Sequence, residues 1–341
     1  MRAVEVAPDR RLVCIERDDP APGPGQALVQ VAACGICGSD LHFRDVPELF
    51  PAGTVPGHEL SGRVLALGPE ASGDWAIGDR VCVLPFGQCG ECELCATGNE
   101  QVCLHAVPNG VGLGTGRPGG YAERLIVDAR MLFALPDAVS DRAGTLVEPL
   151  AVAVRAVSAC ATPPDASVLI LGAGPIGLLT ALVLRERGYE RAAVYSRNPG
   201  RAQRARALGL APVTLDELRA AVPGTEPACV FDCAGTPESA GLAVELLRPL
   251  GRLMLVGLSL APLSLPAPPI VLKELQIRGI IAYRRAEFSA AIDLLAAGRI
   301  PVDELVTATW PLERAEEAFQ ALTVRGDGGG DGEPLKILLA P

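Results

Sequence analysis

Four cysteines, Cys89, Cys92, Cys95 and Cys103, lie within 15 residues, the first three in the run Cys-Gly-Glu-Cys-Glu-Leu-Cys. Four thiolates so crowded can wrap one tetrahedral Zn²⁺ with sulfur at every position, leaving none for a substrate. A site closed in this way is structural. Free or redox-active thiols are the competing reading. Metal binding here would contribute on the order of 10 kcal/mol toward ordering a loop with little core of its own.

A second kind of chemistry is written in Ser167–Leu171, a buried-strand pattern that runs straight into Gly172-Ala173-Gly174-Pro175-Ile176-Gly177. A lone Gly-x-Gly-x-x-Gly says little, but a strand before it and a helix after it mark a dinucleotide site. Gly172 permits the tight turn, Gly174 lets backbone approach a pyrophosphate, and Gly177 allows close helix–strand packing. Pro175 and Ile176 open the helix, whose N-terminus faces the anion. The end of the next strand selects the nucleotide. An acid about 20 residues past the glycines would bind the 2′-hydroxyl of NAD. Ala192–Tyr195 is followed instead by Ser196, Arg197 and, slightly later, Arg201, with no acid among them. Ser196 can donate to a 2′-phosphate and the arginines can pair with it, which favours NADP(H) over NAD. The alternative is that these arginines only solvate a helix start, and that NAD is used. Val256, with Gly257, follows a later strand, where this kind of sheet brings backbone toward the nicotinamide.

The elements that position these groups fall into two patterns. Residues 1–150 are rich in glycine, proline and short β-type runs: Ala27–Ala32, Leu60–Leu67, Arg80–Leu84 and Ala122–Val127. They suggest a partly open β-barrel-like domain. From 151 to 284, strands alternate with helices, the mark of a parallel sheet wrapped by helices. Residues 285–341 change back and are expected to rejoin the first domain, with helices at Ala286–Ala297 and Ala315–Leu322 and a strand at Lys336–Leu339. Gly326–Glu333 reads as a glycine-rich, acidic loop. The fold class is α/β.

Composition closes off other classes. With 49 % apolar and 21 % charged residues in a 341-residue chain, a well-buried protein of two domains is expected. A net charge of −10 disfavours a nucleic-acid or membrane-surface partner. Met1–Val6 shows no secretory pattern, and Val168–Leu184 is interrupted by glycines and a proline, so no membrane span is expected. The expected setting is the cytoplasm, where eleven cysteines point to metal or catalysis before disulfides. Arginine outnumbers lysine heavily, only Lys273 and Lys336 supplying lysine.

Two further segments, Cys37-Gly38-Ser39-Asp40-Leu41-His42 and Gly57-His58-Glu59, complete a resemblance. Together with the four-cysteine lobe, in this order, they resemble the zinc-containing medium-chain dehydrogenases over essentially the whole chain. The resemblance implies a GroES-like catalytic domain and a Rossmann domain with a doubly wound parallel sheet. It also implies a catalytic zinc held by Cys37 and His58, with Cys34 a buried bystander. Ser39 would take the substrate proton and His42 pass it outward, while Asp40 orients the His58 ring. Alcohol dehydrogenases of the family carry a cysteine where this chain has Glu148, in Val147-Glu148-Pro149-Leu150. That exchange resembles the polyol and sugar dehydrogenase branch, in which Glu59, Glu148 or both approach the zinc, directly or through water. Zinc would serve as Lewis acid on a substrate hydroxyl.

The expected activity is hydride transfer between NADP(H) and a secondary alcohol or ketone, in a polyol, sugar or cyclitol-like substrate. An NAD-dependent alcohol or 2,3-diol dehydrogenase is the enzymatic rival. A catalytically silent nucleotide-binding homologue is the rival of another class. Substrate selection is expected from Phe43–Phe50, Asn109–Thr115 and Ile281–Arg285, with Arg284 and Arg285 either contacts for anionic groups or solvated surface residues. Relatives of this kind pair through the cofactor domain, so a homodimer or homotetramer joined by an edge at Arg252–Leu265 is expected.

Overall fold

The computed structural model describes residues 1–220, 224–323 and 334–341. Gly326–Glu333, the expected acidic loop, lies outside the described residues. The chain divides into two compact units. One comprises Met1–Ala151 with the described parts of Ala282–Arg325 and Pro334–Pro341, and the other is Val152–Ile281.

The first unit opens with an antiparallel hairpin of β1 (Arg2–Val6) and β2 (Leu12–Glu16). Its spine is the ten-residue strand β3 (Gln26–Gly35). After the short helix α1 (Gly38–Phe43) come β4 (Glu59–Leu67), β5 (Arg80–Val83), β6 (Arg124–Asp128) and β7 (Leu132–Ala134). β4 pairs along β3 with register shifts at Leu28/Val29 and Val31/Ala33, and such irregularities bend a strand enough to curl the sheet. β6 takes the other edge of β3 only over its first half, Gln26–Gln30. The second half is thereby left free for another partner.

Helix α2 (Val147–Cys160) leads into the second unit. Here β8 (Val168–Leu171) is buried at all four positions, as expected of a strand covered on both faces. It is followed by α3 (Pro175–Glu186), β9 (Ala192–Tyr195), α4 (Pro199–Ala207), β10 (Ala211–Val213), β11 (Cys229–Asp232), α5 (Pro237–Leu246), β12 (Arg252–Leu255) and β13 (Gln276–Gly279). Among the described residues the sheet has six parallel strands in the order β10-β9-β8-β11-β12-β13. This is the doubly wound Rossmann order, whose direction reverses between β8 and β11. Within the expected stretch Arg252–Leu265, the strand β12 pairs on both sides, and β13 is the edge strand of the sheet among the described residues.

The chain then returns to the first unit with α6 (Arg285–Ala296), β14 (Ala308–Pro311), α7 (Ala315–Thr323) and β15 (Ile337–Ala340). β15 pairs antiparallel with Cys34 and Gly35 at the free end of β3, and β14 lies parallel beside it. No helix among the described residues is long and apolar enough to cross a membrane.

The glycine loop after β8 is sterically exacting. Gly172 has φ +101°, and a Cβ on Gly177 would fall 1.8 Å from the Gly172 carbonyl oxygen. Gly177→Ala is therefore expected to destabilise the protein by about 1–3 kcal/mol. Nucleotide binding should weaken as well, because helix and loop must separate. Denaturant unfolding and a fluorescence titration would check this, and an unchanged unfolding midpoint would refute it.

Candidate active site and its metal centres

α1 begins at Cys37 because Asp40, three residues on, accepts the Cys37 backbone N–H at 3.1 Å. That bond turns the chain at the end of β3 and sets the Cys37 thiol beside the start of β4, where His58 and Glu59 stand. Ligand atoms of Cys37, His58 and Glu59 lie within 4.8 Å of one another. Soft sulfur, imidazole and carboxylate at one point form a donor set that suits Zn²⁺. His58 turns Nδ1 toward Asp40 Oδ1 at 3.5 Å, and both atoms are buried without another partner. The other Asp40 oxygen accepts the Tyr121 hydroxyl at 2.6 Å. Burial disfavours a charged His58, but Asp40 and Cys37 outweigh it and raise the pKa well above the ordinary value. Such a field favours positive charge at the His58 position, whether proton or metal.

Glu59 has a firm partner. Both its oxygens accept the buried Lys336 ammonium, at 2.6 and 2.7 Å, and the third Lys336 hydrogen goes to the Ile36 carbonyl at 2.9 Å. Glu148 stands apart from the 4.8 Å cluster of Cys37, His58 and Glu59. Its carboxylate accepts the buried Tyr283 hydroxyl at 2.9 Å. Burial pushes its pKa up to about 7, against the opposing pull of His58. Asp40, His58, Glu59, Glu148 and Lys336 are all buried, with the half-buried Cys37 beside them.

Ser39 and His42 share one face of α1 at i, i+3 spacing, Ser39 half-buried and His42 exposed. Cys34 is fully buried in the β-rich core and outside the metal cluster. Lys336 is a site residue that no motif marks, whereas Tyr283 falls within the Ile281–Arg285 stretch expected to select substrate. A signal for Lys336 existed: one of only two lysines in an arginine-rich chain suggests that a compact ammonium is needed there.

The cysteine lobe forms a closed cluster of Cys89, Cys92, Cys95 and Cys103. The sulfurs stand 3.6 Å (Cys89–Cys103), 3.8 Å (Cys92–Cys103) and 3.9 Å (Cys89–Cys95) apart. A tetrahedron with Zn–S of about 2.3 Å requires about 3.8 Å between sulfurs, so the cluster fits zinc. Backbone N–H groups of Cys92 and His105 point at the Cys89 and Cys103 sulfurs at 3.3 and 3.4 Å. Backbone donation from Cys95 brings the Cys92 thiol down to about 6, whereas burial pushes Cys95 up to about 12.

In the second unit Gly172, Gly174, Pro175, Ile176 and Gly177 form the loop and first turn between β8 and α3. At the end of β9 the Ser196 hydroxyl accepts the Asn198 N–H at 3.2 Å, and Asn198 caps α4 by accepting the Arg201 N–H at 3.0 Å. Arg201 Nη1 lies 4.0 Å from where a Cβ on Gly174 would stand, so its guanidinium reaches toward the glycine loop. Arg197 is exposed. The Val256 N–H is bonded to the Asp232 carbonyl at 2.9 Å, beside the loop after β11. Arg284 and Arg285 contact the cysteine lobe: Arg284 Nη2 reaches Asn99 Oδ1 at 3.4 Å and the Arg285 N–H reaches Glu100 Oε1 at 3.3 Å.

Residues 23–137 match the family model described as alcohol dehydrogenase GroES-like domain, and residues 175–297 match that of zinc-binding dehydrogenase. The chain is 30 % identical to a sorbitol dehydrogenase of Halalkalibacterium halodurans over 336 residues, covering 96 % of this chain and 94 % of that protein. An alcohol dehydrogenase (RspB) of Escherichia coli CFT073, complexed with NADH, superposes with TM-score 0.89 at 28 % identity, over 100 % of this chain and 99 % of that one. A zinc-binding dehydrogenase of Sinorhizobium meliloti 1021 bound to NADP gives TM-score 0.87 at 26 % identity, with 100 % and 99 % covered. The chain belongs to the zinc-binding medium-chain dehydrogenase family, on the branch of its polyol and sugar dehydrogenases.

Proposed function

We propose that this protein oxidises a secondary alcohol of a polyol, sugar or cyclitol-like substrate, or reduces the ketone, with NADP(H) preferred over NAD(H). The observation that carries the proposal is the Cys37–His58–Glu59 cluster, with Asp40 Oδ1 facing His58 Nδ1 behind it. Zinc held there supplies a Lewis acid for a substrate hydroxyl, and the nicotinamide accepts hydride. Cys37 and His58 hold the metal, and Asp40 fixes the ring of His58 from behind. Glu59, held by Lys336, stands within reach as a third ligand. Glu148, anchored by Tyr283, offers its carboxylate to a further substrate hydroxyl. Ser39 receives the hydroxyl proton, and the exposed His42 delivers it to water.

The cofactor preference is supported by the absence of an acid at Ser196–Arg201. A carboxylate there would repel a 2′-phosphate. Loops 43–50 and 109–115 touch each other, a Cβ on Gly114 falling 2.2 Å from the Leu49 carbonyl oxygen, and together they would shape the substrate pocket. Cysteines used as zinc ligands, as Cys37, Cys89, Cys92, Cys95 and Cys103 are in this reading, suit a reducing, cytoplasmic setting.

A polyol panel assayed in both directions with each nicotinamide tests the reading. NADP⁺ should be reduced with the higher kcat/KM, and Ser196→Asp should raise the KM for NADP⁺ by about tenfold or more. A preference of about tenfold or more for NAD⁺ would overturn the cofactor assignment, and no turnover on any polyol the substrate class.

Metal analysis should give two zincs per chain. Mild chelation is expected to remove the zinc of the open Cys37 site first and leave the sulfur-enclosed one. Equal loss of both would contradict this division of roles.

We propose further that two copies pair through β13, the sheet edge, whose side chains are exposed and which stands near exposed Val271 and Leu272. Ile277→Lys should shift the sedimentation coefficient toward that of the monomer. A monomeric wild-type protein would dismiss this pairing.

A further inference from the structure

We infer that the four-cysteine lobe positions the Glu148 carboxylate, acting through the Tyr283–Arg285 turn that opens α6. These three residues are consecutive, and they face two ways. Tyr283 is fully buried and donates its hydroxyl to Glu148 at 2.9 Å. The two arginines that follow grip the lobe. Arg284 reaches Asn99, and the Arg285 backbone N–H reaches Glu100, both residues lying between Cys95 and Cys103. The Arg285 guanidinium donates to the Arg130 carbonyl at 3.0 Å and sits 4.5 Å from the centre of the Phe133 ring. Arg130 donates in turn to the Cys89 carbonyl at 3.3 Å. From the other side, Phe86, three residues before Cys89, meets the Tyr283 ring edge-on at 5.8 Å.

Each surface bond in this set is weak alone. They converge, however, on one turn that the Glu287 carboxylate closes by accepting the Arg284 N–H at 2.7 Å. A turn fixed at both ends moves as a body, so loosening the lobe displaces the Tyr283 hydroxyl. Hydrogen bonds weaken steeply with such displacement, and a misplaced catalytic group costs rate. Tyr283, Arg284 and Arg285 are thus positioning residues. The lobe is more than a local staple: with zinc bound by its four cysteines it would hold the platform from which the carboxylate is aimed. This inference rests on the proposed role of Glu148 toward substrate.

The test is a double-mutant cycle in the full chain, with two zincs per chain verified in every variant. Arg285→Ala and Tyr283→Phe should each lower kcat about fivefold, leaving the KM for dinucleotide unchanged. Because Arg285 acts through Tyr283, the double variant should be no slower than Tyr283→Phe alone; losses that multiply would overturn the coupling. A second readout is hydrogen exchange at the amides of residues 283–287 in Cys95→Ser. Exchange there should quicken while β8 and β11 keep their protection, and unchanged exchange would also overturn the inference. Should Cys95→Ser fail to fold, Arg285→Ala serves for the same measurement. If Glu148→Gln keeps full activity, the reading of Glu148 fails, whereas quickened exchange would still establish the mechanical link.

Discussion

The first unit is organised around a burial problem. Asp40, His58, Glu59, Glu148 and Lys336 are all removed from water in or beside a largely apolar core. Ions buried without compensation cost several kcal/mol each, so this group persists only because its members answer one another. The central pair is Lys336 with Glu59, joined across 277 positions of sequence. It ties the entrance of the last strand to the start of β4 and to the Ile36 carbonyl at the end of β3. Removing either member would strand the other charge, a change that typically costs about 3–5 kcal/mol. The same pair holds Glu59 beside Cys37 and His58, where the three donor atoms lie within 4.8 Å of one another.

The second unit also meets a steric demand. A buried carboxylate, Asp232 at the end of β11, is answered by the Ala234 and Gly235 N–H groups at 3.1 Å. The loops beyond the strands need backbone to approach backbone. A Cβ on Gly177 would meet the Gly172 carbonyl, and one on Gly235 would stand 2.7 Å from the Gly257 carbonyl carbon. Glycine at these places brings the loops after β8, β11 and β12 close together at the carboxyl ends of the strands, where this fold binds dinucleotides. Lys273 plays a quieter part, its ammonium satisfying the Glu245 and Leu247 carbonyls at 2.8 Å near the end of α5. Both lysines of the chain are used as compact three-hydrogen donors, a task for which a planar guanidinium is poorly shaped.

Much of this was legible in the sequence, for identifiable reasons. The α/β class and both metal motifs depend on local spacing: the cysteine run, Cys37 to His42, Gly57 to Glu59 and the glycine loop are each contiguous segments. The strands Leu60–Leu67 and Arg80–Leu84 carried their own β-type pattern, and both were found with small changes of boundary. What could not be read were pairings across long sequence separation. Nothing near Lys336 announces Glu59, and nothing near Tyr283 announces Glu148. Arg284 and Arg285 looked like anion contacts or solvated residues because the lobe they touch lies about 185 positions earlier. The short strand β13 was missed for a related reason: four exposed residues, one of them glycine, give no apolar signal, and pairing with β12 alone defines it.

The central claim is that one chain holds two zincs in chemically different shells, one all sulfur and one mixed. Zinc K-edge X-ray absorption on the wild-type protein and on Cys37→Ser measures this directly. The wild-type spectrum should contain sulfur at about 2.3 Å together with a nitrogen and oxygen component near 2.0–2.1 Å. In Cys37→Ser, zinc content should fall toward one per chain and the remaining shell should be sulfur alone. A wild-type shell made only of sulfur, or a spectrum that Cys37→Ser leaves unaltered, would contradict the account.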